Sequence, residues 1–160
     1  MRPYPTHALS RKALNVFRLN AILNAFFVLV FLVAGALFSY FILEVPNWVL
    51  WIAGGGYILY WIVSVMYVPS VKYRMWRYEV REHEVELQYG VFVVKRVLVP
   101  MIRVQHVDTS EGPILRKYKL ANVTIATAAT VHEIPALDVE KADQLRDYIS
   151  QLAREAKEDV

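Results

Sequence analysis

The sequence predicts an α+β protein: a two-helix transmembrane hairpin, then a small antiparallel β-barrel or bent sandwich with a C-terminal capping helix. Three observations carry this. The chain of 160 residues is 56% hydrophobic and 13% aromatic, with a mean hydropathy of +0.30, too apolar for an average soluble domain and far too apolar for a disordered one. Two long runs, residues 19–43 and 45–71, carry no charge and are separated only by Glu44. Beyond Lys72 the apolar period changes from helical to two, and it becomes helical again near the C-terminus.

The organisation follows from where the charges fall. Residues 1–18 hold Arg2, Arg11, Lys12 and Arg18 and no acid, which makes them a basic N-terminal segment. Residues 19–71 form the hairpin, and residues 72–160 the folded domain. The surplus behind the net charge of +3 sits in the N-terminal segment, because residues 72–160 hold as many acids as bases. A neutral domain argues against nucleic-acid binding. Length excludes a large multidomain enzyme. With no cysteine in the chain, disulfides and thiolate chemistry are excluded as well.

Each uncharged run exceeds the ~20 helical residues that cross ~30 Å of hydrocarbon. Residues 44–47, Glu-Val-Pro-Asn, supply the turn between the spans, and Pro69 is expected to close the second helix. Basic residues precede the first span and follow the second (Lys72, Arg74, Arg77), so the positive-inside rule puts both termini in the cytoplasm of a multi-pass plasma-membrane protein. The alternative of a cleaved signal peptide ending near Ala34-Gly35-Ala36 is disfavoured, because the apolar run outlasts an h-region. Asn20 and Asn24 share a face of the first span. Gly54, Gly55 and Gly56 give the second a small-residue face, and these five residues are the candidates for helix packing.

In the domain, Trp76, Tyr78 and Val80 alternate with charged residues, and Val85, Leu87 and Tyr89 with Glu84, Glu86 and Gln88, which predicts two half-buried strands, polar on their solvent side, in a hairpin turning at Glu82-His83. Strands are then expected over residues 91–99, 102–107, 121–127 and 131–134, with Pro135 ending the last. Pro113 suits the first position of a short helix over 114–118. After Asp138, the residues Val139, Ala142, Leu145, Ile149, Leu152 and Ala156 form one apolar stripe of an amphipathic helix. Short consecutive strands followed by such a helix indicate a small barrel or sandwich that the helix covers.

The stretches Trp76-Arg77-Tyr78-Glu79-Val80, Gln88-Tyr89-Gly90-Val91-Phe92, residues 99–108 (VPMIRVQHVD), residues 112–121 (GPILRKYKLA) and Ile134-Pro135-Ala136-Leu137 resemble the bacterial pleckstrin-homology-like (PH-like) domain of the second type, formerly a domain of unknown function. With two preceding spans, the resemblance covers nearly the whole chain. It departs from the family at Tyr118-Lys119-Leu120, where Phe-Gly-Leu is usual, so the turn there lacks glycine's φ freedom, and at Thr127-Ala128-Ala129. The resemblance implies a PH-like fold, a larger membrane partner carrying several copies of the domain, and a role in envelope stress or protection against membrane-active antimicrobial peptides and bacteriocins.

The residues themselves offer little catalytic chemistry. The sequence has no nucleophile elbow, phosphate loop or zinc-protease motif, so neither an enzyme, a cofactor nor a metal is expected. His83 lies between two acids in a turn, and His106 and Asp108 share a strand face without a third group. The stronger candidates are basic: Lys95, Arg96, Arg103, Arg116, Lys117 and Lys119, as a surface for anionic lipid head groups or for a partner's acidic patch.

Overall fold

The computed structural model describes residues 4–42 and 45–158. Two compact units emerge: Phe17–Val71, and the N-terminal residues up to Val16 together with the residues from Lys72 on.

The first unit contains most of α1 (Ala13–Ile42) and most of the second apolar helix, Asn47–Met75, which is made of α2 (Asn47–Trp61), a π-helical stretch (Ile62–Tyr67) and α3 (Val68–Met75). Both helices are long and apolar enough to cross a membrane, and in each the most apolar stretch is only 6% buried within the chain. Glu44, expected in the turn between them, lies outside the described residues. Pro69 does not close the second helix, which continues to Met75. The wider π turn immediately before it explains why: Val68 N–H reaches back to the Val63 carbonyl, which re-routes the hydrogen bonds around a residue that has no donor.

In the second unit, antiparallel strands form two sheets. One has the order β1-β2-β3-β4 (His7–Ala8, Arg77–Val80, Glu84–Tyr89, Lys95–Pro100). The other has β5-β6-β7 (Val104–Ser110, Leu120–Thr127, Val131–Asp138). The sheets do not close into a barrel, so the sandwich alternative describes the fold. The N-terminal segment joins it: His7 pairs with Tyr78 and Ala8 with Arg77. A 3-10 turn, Met101–Arg103, carries the chain from the first sheet to the second, and the short helix α4 (Pro113–Lys117) has Pro113 in its first turn as expected.

Helix α5 (Val139–Glu158) covers the second sheet with Ala142, Ile149, Leu152 and Ala153 buried. Under it, Val123, Ile125 and Ile134 are fully buried, with Leu137 nearly so. Arg146 ties the helix to β5: its Nη1 donates to Thr109 Oγ1 at 3.3 Å and to Asp143 Oδ1 at 3.1 Å.

Three local expectations need correction. The strand expected from residue 91 starts only at Lys95, because residues 90–94 form an exposed turn. Pro135 does not end β7. The strand lies at a sheet edge, where a missing donor is tolerated, and Pro135 and Ala136 together oppose Asn122 as a bulge between the pairs Val123↔Ile134 and Ala121↔Leu137. Ala136 there adopts φ 53°, and its N–H donates to Asn122 Oδ1 at 2.9 Å. Thirdly, the polar face of β3 is not solvated. Glu86 and Gln88 are 2% and 8% exposed, because β3 is an interior strand whose polar face is roofed by arginine side chains.

Candidate functional site

Strand register builds the polar face of the first sheet. Arg77, Gln88 and Arg96 align across β2, β3 and β4, and beside them lie Glu79, Glu86 and Leu98. Arg96 Nε donates to Glu86 Oε1 at 2.9 Å, its Nη2 contacts the same oxygen, and the Tyr4 ring covers the guanidinium at 5.1 Å. Arg81 stands 3.6 Å from both Glu79 and Glu86 and 3.7 Å from Glu84. A carboxyl group as deeply buried as that of Glu86 needs such partners, so Arg96 is committed within the fold. On the opposite, core-facing side, Tyr78 is 2% exposed, its hydroxyl has no hydrogen-bond partner among the described residues, and burial pushes its pKa up.

The six basic candidates are distributed over several surfaces. Lys95 is exposed at the start of β4. Arg103, with Lys157, Gln105 and His132, lines a cleft of about 610 Å³ where the β4–β5 corner meets the β6–β7 turn. Exposed Leu98 and Ile102 line the same cleft. Arg116 and Lys119 line a different cleft, in which Lys12 faces Glu111, Asp138 and Glu140, and Lys12 Nζ stands 3.5 Å from Asp138. Lys117 is exposed in the last turn of α4. Lys119 follows at φ 55°, where the family pattern has glycine.

Among the packing candidates of the first unit, Asn24 Oδ1 accepts from the Tyr60 hydroxyl at 3.0 Å, and the Tyr57 hydroxyl donates to the Ala25 carbonyl at 3.0 Å. Asn20 is exposed. A Cβ built on Gly54, Gly55 or Gly56 meets nothing within 4 Å, so the helices touch through the tyrosines and the glycine face stays open. The tyrosines were the missed residues. Their spacing of three residues, which puts both on one helix face, was the available signal. The Glu86–Arg96–Arg81 network was missed because cross-strand register, not local sequence, assembles it.

His106 and His132 each have a polar side-chain neighbour. His106 Nε2 lies 3.5 Å from Asp108 Oδ2 with both side chains largely exposed, and His132 Nε2 lies 2.9 Å from Thr130 Oγ1. Among the described residues no cluster of three His, Asp or Glu side chains could hold a metal ion.

A helix-covered pair of antiparallel sheets, preceded by two membrane-length apolar helices, defines a membrane-associated PH-like protein. A family model described as bacterial PH domain matches residues 16–153, and the chain belongs to that family. It is 51% identical over the full length of both chains to the UPF0699 transmembrane protein YdbS of Bacillus subtilis (strain 168). It is also 26% identical over 98 residues to the UPF0699 transmembrane protein YdbT of the same organism, a match spanning 59% of this chain and 19% of that protein. No solved structure matches the chain.

Proposed function

We propose that this chain is a non-enzymatic, multi-pass plasma-membrane protein with both termini cytoplasmic. Its PH-like domain acts as an interaction module, and the chain assembles with a larger membrane protein of the same family. The complex contributes to envelope stress resistance or to protection against membrane-active antimicrobial peptides and bacteriocins. The observation that carries this reading is the pair of relatives in one organism: one that matches this chain over the full length of both, and a much longer protein that matches 98 residues of it over 19% of its own length. Two open features support it. The face of Gly54, Gly55 and Gly56 leaves room for a partner helix, and the edge strands β4 and β5 meet at a cleft with exposed Leu98 and Ile102, where a related domain can pair.

The test is purification of the tagged full chain from native membranes in mild detergent, with native mass spectrometry of what accompanies it. A stoichiometric larger family member is expected, and cells lacking either protein should become equally more sensitive to a membrane-active peptide. A lone monomer and unchanged sensitivity would overturn the reading. A second reading, an anionic head-group sensor, is favoured by the cleft holding Arg103 and Lys157. It predicts salt-sensitive vesicle binding by the domain that Arg103→Ala weakens.

A further inference from the structure

Between β3 and β4 the chain makes a turn whose side chains are apolar and outward. Phe92 is 88% exposed, Val93 69% and Val94 45%, three consecutive large apolar side chains left open to solvent. The turn has a defined shape. Gly90 has φ 134°, and a Cβ there would lie 1.9 Å from the Val93 carbonyl oxygen, so only glycine lets the backbone fold back this tightly. The β6–β7 turn, residues 128–130, carries small side chains and is closed by hydrogen bonds: Thr127 N–H and Oγ1 both donate to the Thr130 carbonyl at 2.9 Å.

Register locates the apolar tip. Gln88 pairs with Arg77, and Arg77 with Ala8, so the end of β3 lies beside the start of β2 and the end of β1. That is the end of the sheet from which the chain leaves β1 for α1, and the end at which it enters β2 from α3. Buried Trp76 stacks on Tyr89 there, with ring centroids 5.6 Å apart. Lys72 and Arg74 occupy the last turn of α3, and exposed Lys95 follows the tip on β4.

We propose that residues 91–94 are a wedge that enters the headgroup layer of the bilayer crossed by the two apolar helices, with Phe92 and Val93 foremost and Lys95 facing anionic lipid. The combination of exposed apolar side chains with flanking cations matches an anionic lipid surface, in which the first find hydrocarbon and the second find phosphate. Tethered at the same end of the sheet by both helices, the tip is already concentrated at that surface, so a weak insertion suffices. Its effect is on orientation: together with the tethers it holds the first sheet's end against the membrane. The inference rests on the helices being membrane spans and is independent of any protein partner.

Because the chain has no cysteine, single-cysteine variants Phe92→Cys and Val93→Cys can carry a nitroxide in the full-length protein. The control is Val131→Cys, on exposed Val131 of β7. In pure vesicles of phosphatidylglycerol and phosphatidylethanolamine, labels at 92 and 93 should be several-fold more accessible to oxygen, relative to a water-soluble nickel complex, than the label at 131. Lys95→Glu should reduce that difference in anionic vesicles. Collision profiles at 92 and 93 matching 131 would overturn the proposal. So would protection that grows with protein-to-lipid ratio, which indicates a second copy, or that appears only in native membranes, which indicates a protein partner. Failure of the partner reading leaves these signals in pure vesicles unchanged.

Discussion

The two units of this chain both hold many large apolar side chains and treat them in opposite ways. In Phe17–Val71 the side chains of Phe27, Phe31, Phe41, Trp51 and Ile52 are all more than half exposed, whereas Leu87, Ile125, Ile134 and Ile149 in the other unit have no exposure. The domain supplies its own apolar solvent by packing two sheets and a helix. The helices satisfy their backbone internally and leave their side chains uncovered, the arrangement that a membrane span requires. A large apolar side chain therefore does not by itself state its destination, and the spacing of charge along the chain adds what it lacks.

The largest effects should separate the units by the same chemical change. Ile149→Asp puts an unpaired carboxylate at a fully buried position and should unfold the domain, at a cost of about 4 kcal/mol or more. Phe31→Asp, at a position 77% exposed, should leave the domain folded while impairing insertion by about 3 kcal/mol. Circular dichroism of the domain signal and membrane fractionation distinguish the two. Equal loss of domain structure in both variants would break the comparison.

Next comes the buried acid. Arg96→Ala strips Glu86 of its nearest partner and should cost about 3 kcal/mol in denaturant unfolding, although both residues sit on the face that alternation marks as polar. Lys119→Gly should stabilise by about 1 kcal/mol, because Lys119 holds a left-handed φ that glycine adopts without a Cβ penalty. In the helices, Tyr60→Phe removes the hydroxyl that donates to Asn24 and should weaken the pair by about 0.6 kcal/mol, read as a small loss of thermal stability in detergent.

The smallest effect is pH-dependent. The unfolded tyrosine ionises near its ordinary value of about 10, while burial raises Tyr78 in the folded domain. The neutral form is thus favoured by folding, and the stability present below that window is lost as pH climbs through it. Tyr78→Phe should flatten this high-pH loss relative to the parent and cost little near neutrality, since the buried hydroxyl has no partner to lose.

How much of this was legible depended on whether a signal was local. The uncharged runs, the alternation around Tyr78 and Leu87, and the stripe through Ile149 are periodic patterns within single elements, and those elements stand near where periodicity put them. Residues 91–94 continue the apolar pattern of a strand, yet Gly90 at positive φ bends them out of it. Pro135 has the chemistry of a breaker, and an edge position with a bulge absorbed it. Pro69 was likewise absorbed by a π turn. For the candidate site the limit was register: cross-strand pairing decided that Arg96 meets Glu86, while Arg103 lines one cleft and Arg116 and Lys119, close to it in sequence, line another.

Photo-crosslinking from the β4–β5 corner tests the proposed assembly most directly. A benzophenone side chain at exposed Ile102 of the full-length protein, irradiated in native membranes, is expected to yield one adduct with a larger membrane protein carrying the same domain. The same group at exposed Tyr148 of α5 should yield none. Adducts confined to lipid or to a second copy of the chain at Ile102 would contradict the account.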